Sequence, residues 1–221
     1  MAQYTLVIGN KNYSSWSMRA WFAMKQAGIV FDEVRVALFE GGYKAKIERY
    51  SPAGKVPVLV AGGITVWESL AICEFLAERH PEKRLWPADS AARAQARAIC
   101  AEMHAGFSAL RNAMPMNIRS SHPGKGMTPQ ARHDIERITA MWEQCRENYG
   151  SGGELLFGHF TAADAFYAPV VSRFQTYAVK LPHVAQSYAD AVLRLSAMQE
   201  WMNAAREETE FVAEDEPYAT Q

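Results

Sequence analysis

The stretch from Ser51 to Ala77, SPAGKVPVLVAGGITVWESLAICEFLA, constrains the fold more than any other part of the chain. Val58 to Val60 reads as a short strand, Gly62-Gly63 as a two-residue turn that tolerates positive φ, and Ile64 to Trp67 as the return strand, so a hairpin is predicted. Ser69 then stands where a helix N-cap belongs, ahead of an apolar run. Val56-Pro57 leads into the first strand. A proline cannot donate to a sheet ladder. In the cis form its bond turns the Val56 N–H and C=O outward as an unused edge, to which an extended peptide can add by strand pairing. The helix start at Ser69 suits a carboxylate. Taken alone, the same residues also fit a plain corner with a trans proline and an ordinary cap, so the rest of the chain has to decide.

Upstream, Tyr4 to Ile8 reads as a buried strand and Gly9 to Asn12 as turn chemistry. A serine cluster, Ser14, Ser15 and Ser17, then gives way to a helix with Met18, Trp21 and Phe22 on one face, ending at Gly28. Phe31 to Val36 is a second strand. The helix that opens at Ser69 is expected to stop at His80-Pro81. Residues 81–89, with two prolines and several charges, read as a linker.

Beyond the linker no strand pattern appears. Ile99, Met103, Phe107 and Leu110 fall on one helical face. Residues 114–125 read as a loop or a broken helix end. Thr128-Pro129 is an N-cap followed by proline at the first helical position. Ile135, Ile138, Trp142, Cys145 and Tyr149 form an apolar stripe. Thr161 and Asp164 make a capping pair before an apolar helix in which Pro169 is expected to kink the axis. A last helix is predicted over 188–206, followed by an acidic tail, 207–221, that frays or covers a surface.

A hydrophobic fraction of 49% and a charged fraction of 21% are those of a globular protein. A net charge of −1 leaves no electrostatic footprint for nucleic acid or an anionic membrane. Cys73, Cys100 and Cys145 are too far apart for a metal knuckle or a CxxC pair, so no metal is expected and a reducing cytoplasm fits best. The opening Met1-Ala2-Gln3-Tyr4 has no basic or apolar leader pattern, and no apolar run approaches the ~18 residues of a membrane span.

Val56-Pro57, a hairpin and then Glu68-Ser69 opening a helix resemble the glutathione-binding half of the cytosolic glutathione S-transferase family. Gly158-x-x-Thr161-x-x-Asp164 resembles the capping box that starts the core helix of that family's helical domain. The resemblance runs from Tyr4 to about Arg206. It implies an α/β thioredoxin-like N-terminal domain (1–80), a linker (81–91) and an all-α C-terminal domain (92–221), with glutathione as co-substrate and a homodimer as the assembly. Ser14-Ser15-Trp16-Ser17-Met18-Arg19 resembles the Ser-Ser-Cys-Ser-x-Arg signature of the zeta class, which includes maleylacetoacetate isomerases; Trp16 stands where that signature has cysteine.

On that match Ser14 takes the catalytic serine's position, with Ser15 as the nearest substitute and Tyr13 as a competitor, since other classes use a tyrosine hydroxyl. An N-cap serving only the backbone is the plain alternative for Ser14. Val56, with Pro57, is expected to pair with the cysteinyl unit of glutathione, Glu68 and Ser69 to hold the γ-glutamyl end, and Lys55 to meet the glycine carboxylate. Arg97, His104 and Arg111 recur every seven residues. His104 and Arg111 are candidates for a cleft that takes an anionic second substrate, unless the stripe is merely solvated or faces a subunit. Arg173 and Tyr177 form a second candidate pair.

The reading is a glutathione transferase that activates the thiol for attack on a small electrophile. An isomerase or a glutathione-dependent disulfide reductase or peroxidase on the same fold is an alternative, and a non-catalytic binding module is a third.

Overall fold

The computed structural model describes residues 3–219. Met1, Ala2, Thr220 and Gln221, and with them the start of the N-terminal run and the end of the acidic tail, lie outside the described residues.

The first part runs β1 (Tyr4–Ile8), α1 (Ser15–Gln26), β2 (Asp32–Arg35), α2 (Tyr43–Glu48), β3 (Val58–Ala61), β4 (Ile64–Trp67) and α3 (Ser69–Arg79). The sheet has four strands in the order β2-β1-β3-β4. β1 pairs parallel with β2, Leu6 facing Glu33, and antiparallel with β3, Leu6 facing Leu59. Gly62 and Gly63 both have positive φ, 54° and 90°, as a tight hairpin between twisted strands requires. This is the thioredoxin-like order the sequence predicts, with α2 added in the segment before the hairpin.

β1 is apolar on both faces because both are covered. Leu6 and Ile8 enter the main core, while Val7 joins Val36, Ile47 and Val58 in a small second core beneath α2. α1 is enclosed on nearly every side, with Met18, Trp21 and Phe22 all at 0–1% exposure. That is why its composition shows a broad apolar surface rather than a narrow stripe.

The helical part comprises α4 (Ser90–Ala105), α5 (Ser108–Ala113), α6 (Pro129–Tyr149), α7 (Ala162–Thr176), α8 (His183–Arg194) and α9 (Ser196–Glu207). Thr128 caps α6 by accepting from the Ala131 N–H at 3.1 Å. α7 is the central helix, buried from Ala162 to Phe174, and continues through Pro169. At its start the Asp164 carboxylate accepts from the Thr161 N–H (2.8 Å), the Thr161 hydroxyl (3.1 Å) and the Leu156 N–H (3.2 Å). Burial pushes the Asp164 carboxyl up to about 6 against these bonds.

Three expectations need correction. Ile99, Met103, Phe107 and Leu110 are all buried but do not share one helix. Gly106 ends α4, its N–H donating to Glu102 O, and Phe107 takes a left-handed φ of 57° that lets its ring reach the core. The predicted last helix is two helices, α8 and α9, separated at Leu195, whose ψ of 137° is extended. Glu68, not Ser69, occupies the N-cap of α3, and Ser69 is the first helical residue.

Residues 208–219 form a strap over the first part of the chain. The Glu208 carboxylate accepts from the backbone N–H groups of Lys11 (2.8 Å) and Asn12 (2.9 Å). Arg119 donates to the carbonyls of Glu208 and Glu210, Arg35 pairs with Glu210, and the Tyr218 hydroxyl donates to Ala113 O. The acidic composition of this segment matches its basic partners, so the strap covers a surface instead of fraying. Among the described residues no helix is long and apolar enough to cross a membrane.

Candidate active site

A cavity of about 420 Å³ opens between the sheet and the helical part. Ser14 and Trp16, from the start of α1, form one wall. Leu38, Tyr43 and Ile47, around α2, form another. Gly54 to Pro57 supply the edge, Trp67 and Glu68 the far end, and His104 of α4 faces in from the helical part.

Ser14 is the N-cap of α1, its oxygen accepting from the Ser17 N–H at 3.3 Å. The loop before it is pinned at several points. The Asn10 side chain accepts from the Leu38 N–H, the Asn12 side chain accepts from the Arg119 N–H, and Lys11 O accepts from the Trp201 indole. The start of α1 and its N-cap hydroxyl therefore stand at the cavity wall, where the helix dipole favours a negative charge. The Val56-Pro57 bond is cis, and both residues line the cavity.

Glu68 has a φ of 67°, a conformation uncommon outside glycine and over-represented where a residue is held against a ligand. Its carboxylate Oε2 lies 3.5 Å from His104 Nε2. Next to it, Ser69 is fully buried at the head of α3, outside the cavity lining, and its hydroxyl has no hydrogen-bond partner among the described residues. A buried hydroxyl without a partner is costly, and a carboxylate acceptor at this helix terminus would relieve it.

Not every candidate lines the cavity. Ser14, Lys55, Val56, Pro57, Glu68 and His104 do. Ser15 is turned inward, accepting from Arg173 Nη2 at 3.4 Å. Tyr13 points the other way: its hydroxyl donates to Glu216 at 2.7 Å and accepts from Arg119 at 2.7 Å. Burial and the neighbouring Glu216 raise the Tyr13 phenol above its ordinary value. Arg173 is buried and donates to Met114 O and Pro169 O, and Tyr177 donates to Pro115 O. Burial pushes the Arg173 guanidinium down to about 10. Arg97 and His104 are seven residues apart on α4, but the Gly106 break separates Arg111, on α5, from their helix. Arg97 is paired with Glu74 at 2.8 Å on the surface.

Sequence reasoning noticed Trp16 only as a departure, yet it organises one side of the cavity. Its ring lies 4.3 Å from the Arg19 guanidinium and 4.8 Å from that of Arg111, with the His104 ring edge-on at 5.0 Å. The available signal was an aromatic residue three positions before an arginine on the same helix face. Arg19 is buried, and its Nε and Nη1 meet no acceptor among the described residues. Desolvation first, then the positive charges of Arg173 and Arg111, lower its guanidinium to about 9. Leu38, Tyr43, Ile47 and Trp67 carried no local signal; only the fold brings them to the cavity. No cluster of His, Cys, Asp and Glu suited to a metal occurs among the described residues.

Comparison with known proteins agrees across both parts of the chain. Residues 13–79 match the family model "Glutathione S-transferase, N-terminal domain", and residues 91–204 match "Glutathione S-transferase, C-terminal domain". A protein from Caenorhabditis elegans named "Probable maleylacetoacetate isomerase" is 31% identical over 158 residues, 71% of this chain and 72% of that protein. The maleylacetoacetate isomerase of Rattus norvegicus is 29% identical over 194 residues, 84% of this chain and 85% of that protein. A glutathione transferase homologue from Burkholderia, solved with bound glutathione, superposes with a TM-score of 0.69 at 23% identity, covering 93% of this chain and 99% of that one. Sheet, helical part and curated relatives all lead to one conclusion: the chain belongs to the glutathione S-transferase family of enzymes, with relatives of the zeta type.

Proposed function

We propose that this protein binds glutathione in the cavity beside Ser14 and activates its thiol for attack on a small electrophile. The observation that carries the reading is the convergence, around one cavity, of the α1 N-cap hydroxyl, the Val56-Pro57 edge and Glu68 at the start of α3. An ordinary thiol, with pKa ≈ 8.5, is mostly protonated at neutral pH; lowering it by two units takes about 2.7 kcal/mol. The Ser14 hydroxyl and the first N–H groups of α1 supply that stabilisation together. Val56 holds the cysteinyl backbone, Glu68 the γ-glutamyl ammonium, Ser69 the adjoining carboxylate and Lys55 the glycine carboxylate. The second substrate lies against Trp16 and His104, with Arg111 behind. Arg173, Tyr177 and Ser15 support this wall from within.

A second reading shares every step up to the thiolate. The relatives named maleylacetoacetate isomerase favour it. A thiolate that adds to a cis double bond and is then expelled after bond rotation returns glutathione unchanged, so transfer and isomerisation differ only in the fate of the adduct. Trp16 in place of cysteine leaves no protein thiol at the site, so disulfide reduction here would use glutathione sulfur alone.

We further place the domain division at 1–80, 81–91 and 92–221, the protein in the cytoplasm, where its three buried unpaired thiols stay reduced, and the assembly as a two-fold dimer. Light scattering at micromolar protein should give twice the chain mass; a monomeric mass would refute the dimer. The test of function is retention on immobilised glutathione, then initial rates with an aryl halide, a maleyl-type cis alkene and a glutathione mixed disulfide. Failure to bind glutathione would overturn the reading, and the fastest of the three substrates names the reaction.

A further inference from the structure

Glu68 has one carboxylate and two claimants. His104 Nε2 stands 3.5 Å from its Oε2, and both residues line the same cavity. In the function proposed above, on which this inference rests, the same carboxylate receives the γ-glutamyl ammonium of glutathione. We propose that His104 is a positioning residue that competes with this ammonium for Glu68, so that glutathione binding releases the imidazole from Glu68 and leaves it, against Trp16, to the second substrate.

The geometry supports the exchange. His104 sits in the last turn of α4, directly before the Gly106 break, so its backbone is fixed. The ring rests edge-on against Trp16, itself flanked by Arg19 and Arg111. Nδ1 is buried and makes no hydrogen bond among the described residues, and Glu68 is the charged group beside the other nitrogen. When Glu68 is taken, the imidazole keeps its place against Trp16 and is held there without a partner of its own.

The charged groups facing the ring decide how strong the competition is. Glu68, at the head of α3, favours the imidazolium. Burial, Arg19 of α1 and Arg111 of α5 oppose it, and together they hold His104 below its usual value. Near neutral pH the ring is uncharged and yields Glu68 to a permanently charged ammonium. On the acid side the imidazolium forms a true ion pair and holds it.

Calorimetry of glutathione binding between about pH 5.5 and about pH 7.5, in the range where histidine changes charge, tests this on wild type, His104→Gln and Glu68→Gln. Wild-type affinity should fall on the acid side by about two- to fivefold, the scale of a partly exposed ion pair. His104→Gln should bind with no such fall, and at acid pH at least as tightly as wild type. A wild-type affinity flat with pH, an acid-side fall that persists in His104→Gln, or weaker acid-side binding by His104→Gln would each overturn the exchange. Glu68→Gln separates this outcome from failure of the functional reading. Affinity lost at every pH keeps Glu68 as the ammonium's partner, whatever His104 does, whereas wild-type affinity in Glu68→Gln removes both ideas.

Discussion

The Ser14 hydroxyl donates to the Ser17 hydroxyl at 2.8 Å and accepts from the Ser17 backbone N–H at 3.3 Å, so one residue holds it as both donor and acceptor. Ser17, fully buried, accepts in turn from the Gly9 N–H at 2.9 Å. This chain fixes the oxygen of Ser14 at the helix start, with the O–H directed at Ser17 and able to swing about the Cβ–Oγ bond. Turning the O–H from Ser17 to a sulfur trades one hydrogen bond for a charge-assisted one, which is stronger.

Ser14→Ala should therefore raise the pKa of the bound thiol by about a unit or more, the scale of a ~1.5–3 kcal/mol bond to a charged group. Glutathione affinity should change little, because Val56, Glu68 and Ser69 hold the peptide. Thiolate absorbance against pH measures the shift. Ser15→Ala and Tyr13→Phe should titrate as wild type, since their hydroxyls are engaged with Arg173 and with Arg119 and Glu216. A shift in either of these variants, and none in Ser14→Ala, would move the catalytic role.

Ser69→Ala removes a hydroxyl that has no partner among the described residues. Its thermal stability should stay within about 0.5 kcal/mol of wild type, while glutathione affinity falls roughly tenfold. A variant that loses stability but keeps its affinity would show that the hydroxyl serves the fold alone.

Asp164→Ala leaves two backbone N–H groups and a hydroxyl unsatisfied in the core, so denaturant unfolding should show a loss of about 2–4 kcal/mol. The pH dependence has a definite sign. The folded carboxyl titrates at about 6 and the unfolded one near 3.9, so the folded chain binds more protons between these values. The contribution is fully present below the unfolded value and is lost as pH rises through about 6. Relative to Asp164→Asn, wild type should lose stability over that window; a constant difference would contradict the assignment.

Glu208→Ala removes the acceptor of the Lys11 and Asn12 amides. Hydrogen exchange at these two amides should quicken by about tenfold, for a bond of ~1.5 kcal/mol to a charged group. Turnover should fall more than glutathione affinity, because the loop carries Ser14 and not the peptide-holding residues. Unchanged exchange would show the loop to be rigid by itself.

The legible parts of the molecule are those whose causes are local. The Gly62-Gly63 turn, the Thr128-Pro129 and Thr161/Asp164 helix starts, and the α6 stripe each carry their reason within a few residues. The cap of α3 was misplaced by one residue because the positive φ of Glu68 violates the ordinary preference that made Ser69 the better cap. The division of the last helix at Leu195 has no glycine or proline to announce it; tertiary packing makes it. The seven-residue recurrence of Arg97, His104 and Arg111 assumed an unbroken helix across Gly106. Trp16 could be seen in the sequence, but its partners His104 and Arg111 come from a part of the chain that only the fold brings near.

The strap has a consequence for the timing of biosynthesis. Lys11 leaves the ribosome well before Glu208, the residue 197 positions later whose carboxylate holds its amide. N-terminal units generally fold first during synthesis, so the sheet can form while the loop before Ser14 still lacks its anchor. A nascent chain, or one clipped by a protease ahead of residue 208, would thus carry a formed sheet and an unanchored thiol loop. Activation of the thiol is tied to delivery of the acidic strap, and the reactive end of the site is completed after the sheet that carries it.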